Sequence, residues 1–292
     1  MKYESGSAFR RALEDRLRVM SLQMDIPLVR LRKMVAFDRF LSRLFSCGPD
    51  QWVVKGGFAL QLRLGGKART TKDIDLLVLA EMQEIYPHLR EVGAIDLGDW
   101  FTFEVSNADR SKADEVGGLR YGLHALLDGR TFEQFHIDIG IGDPLLEPVE
   151  YLETPALLTF AGIEPTVVPC YPISQQIAEK FHAFTRLHRS GESSRVKDFV
   201  DMLLLAEMGE LDSESLRQAI QATFDERQTH ALPAMVPSPP RNWSHTFQRL
   251  ASEVGLAFTT LAEGERALGQ FLNPVLGSSA KKRWLPNHWD WG

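Results

Sequence analysis

The chain opens with two stretches in which apolar residues recur every three or four positions. In Ser7–Gln23 these are Phe9, Leu13, Leu17, Met20 and Leu22, behind Ser5 or Ser7 as a cap; in Val29–Phe45 they are Leu31, Met34, Val35, Phe37, Leu41 and Leu44. Both predict amphipathic helices, ended by Gly48-Pro49. The period then changes. "QWVVK" predicts a short strand running into Gly56-Gly57, "FALQLRLG" a two-turn helix closed by Gly65-Gly66, "DIDLLVLA" a buried strand, "EMQEIYPHLREVG" a helix and "WFTFEVS" an alternating strand. "GLRYGLHALLDGRTFEQFHIDIGIGD" predicts a hairpin turning at Asp128-Gly129. On its second strand Phe135, Ile137, Ile139 and Ile141 share one face, and His136, Asp138, Gly140 and Gly142 the other.

After about residue 171 the period is helical again, in "ISQQIAEKFHAFTRLH", "RVKDFVDMLLLAEMG" and "ESLRQAIQATFDERQ". Pro233, Pro237, Pro239 and Pro240 mark a loop before further helix from about Ser244 to Leu272. The tail "KKRWLPNHWDWG" follows neither period. The expected fold class is therefore α+β. It has three zones: N-terminal helices over 1–50, a small mixed sheet core over 51–170 and a C-terminal helical domain over 171–292.

Composition narrows this picture at two points. Cys47 and Cys170 are far apart and have no Cys/His spacing, which argues against a disulfide framework or structural zinc and for a reducing compartment. The first residues carry charge where a signal peptide needs an apolar run, and no apolar run reaches the roughly 20 residues of a membrane span. The expectation is a cytoplasmic protein with no membrane partner. A net charge of −6 excludes a surface that coats nucleic acid throughout. The cations are nonetheless grouped, over Arg10–Arg43, Lys55–Lys72 and Lys180–Lys197, while acids gather over Glu207–Glu226. Local basic surface suits a polyanion held at one place, and solvated helix faces would give the same runs.

The chemistry concentrates between Val53 and Val78. Asp73 and Asp75, two apart on a strand, project to the same face, while Ile74 and Leu76 point inward. Paired carboxylates repel unless a cation lies between them, and oxygen-only ligation suits Mg²⁺ bridging phosphates. Asp138, the one acid on the polar face of its strand, is placed as a third ligand. Lys55-Gly56-Gly57 follows a strand and opens a helix, so its backbone N–H groups can face an anion. It is neither a Walker A loop nor a dinucleotide turn, and a tight turn needing glycine for packing is the alternative.

In the helical part, Lys180 borders an apolar stripe with Ile177, Phe181 and Phe184, and either aims at a phosphate or snorkels to solvent. Asp198 and Asp201 share a helical face among apolar residues and need a partner such as Arg195 or Lys180, so a structural ion pair competes with a catalytic role. His136, His182 and His188 have no ligand spacing.

Together, "KGG-F-A-L", "R-T-T-K-D-I-D-L", Asp138, "QIAEKFHAFTR" and "RVKDFVDMLLL" resemble the AbiEii/AbiGii nucleotidyltransferase toxins, which include MenT-type toxins and are related to the DNA polymerase β-like nucleotidyltransferases. The resemblance spans roughly Val53–Leu205. It implies that Gly56 and Gly57 lie under a triphosphate with Lys55 before them, and that Asp73 and Asp75 bind metal. Lys180, with Asp198 and Asp201, would complete the motifs, and Arg69, Thr71 and Lys72 would lie beside the nucleotide. This chain has Gly-Gly where many relatives have Gly-Ser, so no serine hydroxyl serves the phosphates there.

The implied activity is Mg²⁺-dependent transfer of a nucleoside monophosphate from an NTP to RNA. By the family's pattern the acceptor is the tRNA 3′ end, translation stops, and a cognate antitoxin is the partner. A small-molecule nucleotidyltransferase and a non-catalytic nucleotide- or RNA-binding relative remain the alternatives.

Overall fold

The computed structural model describes residues 2–79, 84–107, 118–146, 148–186 and 195–292. These fall into two compact units. The first comprises residues 1–63, 70–142 and 150–170, and the second 64–69, 143–149 and 171–292.

In the first unit, helix α1 (Gly6–Met24) starts where the Ser5 hydroxyl accepts the Ala8 N–H, and it ends at Asp25 in the left-handed region. α2 (Leu28–Cys47) follows Pro27, which cannot continue a helix backwards. The elements after them are β1 (Trp52–Lys55), α3 (Gly56–Leu64), β2 (Asp73–Val78), α4 (Ile85–Ala94), β3 (Phe101–Val105), β4 (Leu119–Leu127), β5 (Arg130–Ile141), β6 (Glu150–Glu153) and β7 (Val167–Cys170). Among the described residues they form a seven-stranded sheet in the order β3-β4-β5-β2-β1-β7-β6. β2 runs parallel to β5, and β1 parallel to β7; the other neighbours are antiparallel. The β4–β5 hairpin turns on Asp128 (φ 53°) and Gly129 (φ 69°), two successive left-handed residues as the sequence predicts.

α1 and α2 lie in the sheet's own unit. Phe9 meets Phe101 edge-on, and Phe37 and Phe40 meet Phe135 with ring centroids 4.9 and 6.1 Å apart. The apolar faces of both helices thus complete the core of the sheet. The same packing accounts for much of the N-terminal basic run. Arg43 is wholly buried and grips Asp99 with two nitrogens, at 2.5 and 3.0 Å, while also donating to the Phe101 carbonyl. Arg39 joins Asp38 and Asp99. Arg10 donates to the carbonyls of Leu127, Arg130 and Thr131, and Arg32 to that of Phe132. Arg10, Arg32, Arg39 and Arg43 thus serve the framework of this unit rather than a basic surface.

Three further sequence expectations change in this unit. Ile141, expected inside with Phe135, Ile137 and Ile139, is 55% exposed at the end of β5. Arg63, a cation of the Lys55–Lys72 run read as basic surface, has a buried side chain that bonds Glu150 at 2.8 Å. β6 and β7 were not expected at all: Pro169 lies in β7, and proline normally argues against a strand.

The second unit is built on α5 (Ile173–Thr185), α6 (Val196–Met208), α7 (Ser213–Arg227), α8 (Ser244–Val254) and α9 (Leu261–Leu276). The single helix expected from Ser244 to Leu272 is two helices. Gly255 (φ 66°) ends α8 in the left-handed region, and a reciprocal cap between Thr260 and Glu263 starts α9. The tail that fitted neither period is a two-stranded ribbon, β8 (Trp284–Leu285) and β9 (Asp290–Trp291). Its indoles anchor it to the helices: Trp284 donates to the Ala206 carbonyl, Trp289 to that of Ala267 and Trp291 to that of Phe271. None of the helices among the described residues is long and apolar enough to cross a membrane.

Between α5 and α7, His182 packs edge-on to Phe224 and shares a hydrogen bond with the Thr229 hydroxyl. Burial, then the charges of Arg227 and His230, push its pKa down to about 4. In the unfolded chain an imidazole takes its proton near pH 6.5. Between those values the unfolded state binds more protons, so the contribution of His182 is complete above about pH 6.5 and is lost as pH falls towards 4. The stability of the wild type should drop by on the order of 2 kcal/mol between pH 7 and pH 4.5, and His182→Gln should remove that part of the slope. Denaturant titrations of both proteins at a series of pH values measure it; parallel slopes would assign the dependence to other groups.

Candidate functional site

The strand register places four charged residues in one line across the sheet. Lys55 on β1 pairs with Asp75 on β2, Asp75 with Asp138 on β5, and Asp138 with Arg120 on β4. Residues in register across adjoining strands share a face, so the line reads cation, anion, anion, cation. Asp73 is on the same face two residues before Asp75, beside His136. The flanking positions, Ile74, Leu76, Ile137 and Ile139, are buried beneath them. Alternation in β2 and β5 thus raises three carboxylates on a rigid apolar support.

Each carboxylate has its own partner. An Asp75 oxygen accepts the Gly57 N–H at 3.2 Å. Gly56, at φ 60°, lies so close that a Cβ there would be 1.9 Å from that oxygen. The glycine turn and the first residues of α3 therefore enclose the Asp75 carboxylate, which the positive end of the helix also favours. This sharpens what the glycines are for: the anion at the turn in this arrangement is Asp75 itself.

The Arg120 guanidinium forks onto Asp138, with Nε donating to Oδ1 at 2.6 Å and Nη2 donating to Oδ2. The same Nη2 is 3.7 Å from Asp73. His136 Nδ1 stands 3.5 Å from the other oxygen of Asp73. Arg120 is a residue at this face that the sequence reading did not single out. The Asp128-Gly129 turn alone would set Leu119 opposite Asp138; a one-residue register shift between Ala125 and Leu126 brings Arg120 there instead, and the sequence gives no sign of it.

The donor set suits a divalent ion in its chemistry. It consists of hard carboxylate oxygens on one half-exposed face, and a guanidinium already occupies the space between two of them as a stand-in cation. As placed they do not converge. Among the described residues no three of His, Cys, Asp and Glu are gathered to hold a metal ion, because Asp138 is turned to Arg120 and Asp75 to Gly57.

The other sequence candidates fall in two places. Lys55 is buried beside Asp75, Thr71 donates its hydroxyl to the Asp73 carbonyl at 3.1 Å, and Lys72 is exposed. Arg69, Lys180, Asp198 and Asp201 belong to the second unit. There Asp201, with no exposure, accepts from Lys180 at 2.6 Å and from Arg69 through both Nε and Nη2. Asp198 lies 3.4 Å from both Lys180 and Arg195. Burial alone would raise the Asp201 carboxyl pKa, but the charges of Lys180 and Arg69 outweigh it and hold the group ionised. Lys180 is the converse: burial disfavours its charge, and Asp201 and Asp198 restore it and raise the pKa. The sequence left Lys180 either aimed at a phosphate or snorkelling to solvent; here it is buried and paired with Asp201 and Asp198, the ion pair that the two aspartates were expected to need. His188 and Arg189 lie outside the described residues.

Overlay on solved structures gives the class first. The fold is that of a nucleotidyltransferase: MenT4, a nucleotidyltransferase toxin from Mycobacterium tuberculosis, superposes with a TM-score of 0.55 at 16% identity, over 91% of this chain and 98% of its own. An antigenic nucleotidyltransferase-like protein from Paracoccidioides brasiliensis matches at 14% identity over 67% of this chain and 89% of its own, with a TM-score of 0.39, too loose to carry an argument. The sequence then narrows the class. The profile of the nucleotidyl transferase AbiEii toxins, of a type IV toxin–antitoxin system, matches residues 39–273, and the chain belongs to that family. No curated protein matches it. The protein is therefore a toxin-family nucleotidyltransferase.

Proposed function

We propose that the protein transfers a nucleoside monophosphate from an NTP to the 3′ end of tRNA in a Mg²⁺-dependent reaction, and that it arrests translation in the bacterial cytoplasm until a cognate antitoxin restrains it. The observation that carries this reading is the charged line Lys55–Asp75–Asp138–Arg120 beside a glycine turn, in a chain of the AbiEii family. Asp73 and Asp75, with Asp138, would hold the metal. When bound, it would neutralise the phosphates and favour the deprotonated acceptor hydroxyl.

The chain's own residues do the rest by position and charge. Gly56 and Gly57 let backbone approach closely and present N–H groups, one of which already faces an anion. Lys55 supplies a positive charge in the same register as Asp75. The apolar layer under β2 and β5 holds the backbone that carries the carboxylates in place. Exposed Lys72, next to Asp73 in sequence, is a cation available to a nucleotide phosphate.

The acceptor is tested by incubating the protein with Mg²⁺ and each labelled NTP, in parallel with total tRNA and with an aminoglycoside panel. Label is expected on tRNA, from one NTP in preference to the others, and absent after Asp75→Ala. Label on aminoglycosides alone would move the protein to the small-molecule class. Metal-independent NTP binding without turnover would make it a binding protein.

A further inference from the structure

Arg120 takes both oxygens of Asp138 and reaches Asp73, two of the three carboxylates that the proposed function assigns to the metal. We propose that Arg120 is an exchangeable counter-ion: it occupies Asp138 and Asp73 while no metal–nucleotide is bound, and yields them to the divalent ion when one arrives. The inference rests on the nucleotidyl-transfer reading above.

Three observations lead to it. Three carboxylates on one face repel one another, and Lys55 at one end of the line and Arg120 at the other keep it near neutrality without a metal. Next, the Arg120 pair is built to come apart. The side chains of Arg120, Asp138 and Asp73 are 28%, 32% and 31% exposed. An ion pair that solvated contributes little, and a divalent ion on two carboxylates and a triphosphate outweighs it. The arginine pair in the core is the contrast, since Arg43 and Asp99 are 0% and 2% exposed and fixed in place. Finally, Arg120 is set on a paired central strand, so its Cα stays put while the long side chain turns. A released guanidinium keeps its planar fork, which fits phosphate oxygens as it fits a carboxylate.

The exchange predicts an effect opposite to that of structural damage. Removing the guanidinium frees Asp138, so Arg120→Gln should bind Mn²⁺ about three- to tenfold more tightly than wild type in the absence of nucleotide. Arg120→Lys, which keeps the charge but loses the fork, should shift affinity the same way by less, and serves if the glutamine variant does not fold. Asp138→Asn should weaken binding. Free Mn²⁺ is counted by electron paramagnetic resonance on the full chain, with and without a non-hydrolysable NTP analogue, and thermal melting in EDTA confirms that each variant is folded.

Tighter Mn²⁺ binding by the folded Arg120 variants supports the exchange. Binding by wild type that is unchanged or weaker in those variants overturns it and leaves the transfer reading standing. No Mn²⁺ binding by wild type, even with the nucleotide analogue, overturns the metal-dependent reading and this inference with it.

Discussion

Gly56→Ala should lower nucleotidyl transfer by about 100-fold or more, because displacing a reacting group by about 1 Å is enough for such a loss. Two independent features of Gly56 require this. Its φ of 60° is one that L side chains rarely adopt, and the added Cβ would come 1.9 Å from an Asp75 oxygen, closer than any two such atoms can approach. The backbone or the carboxylate has to move, and Asp75 is the residue that the turn holds through the Gly57 N–H. Gly65→Ala is the matched control. It has a similar φ of 56° with nothing within 4 Å, so it carries the backbone strain of about 1 kcal/mol without the collision. Initial rates and melting temperatures of both variants separate the effects. Equal losses of activity in the two would mean that the contact with Asp75 does not matter.

The second large effect is expected in the other unit. Asp201→Asn leaves Lys180 buried with Asp198 at 3.4 Å as its remaining carboxylate, and strips Arg69 of a bidentate partner. Removing one member of a buried charged set costs about 3–5 kcal/mol, so the melting temperature should fall by on the order of 10 °C. The interaction also has a pH signature. The Asp201 pKa is depressed, so its contribution is present above the unfolded carboxyl value near 3.9 and disappears as pH drops below it. Differential scanning calorimetry measures the drop. An unchanged transition with lost transfer would show instead that Asp201 serves chemistry rather than the fold.

Much of the architecture was legible in the sequence because local rules decided it. Helical spacing of Phe9, Leu13 and Leu17, alternation through β5 and the Asp128-Gly129 turn each depend on residues close in the chain. The carboxylates were legible for the same reason, since two residues apart on a strand means one face. What could not be read depends on partners far away. β7 contains a proline and exists because β1 and β6 flank it, and the tail ribbon exists because three indoles find carbonyls on α6 and α9. Charge was the least legible property. Arg39, Arg43, Arg63 and Arg69 count as cations in any composition, yet each is held by a carboxylate of the same chain. Arg120 escaped notice because one arginine in a hairpin has no meaning until the strand register sets it opposite Asp138.

Asp75 and its neighbours are proposed to support transfer of a nucleotidyl group. Parallel reactions of wild type and Asp75→Ala with α-labelled and γ-labelled NTP, in Mg²⁺ and total tRNA, test it most directly. The account predicts that the α label becomes attached to RNA, the γ label is released as pyrophosphate, and Asp75→Ala does neither. Attachment of the γ label, or equal transfer by Asp75→Ala, would contradict it.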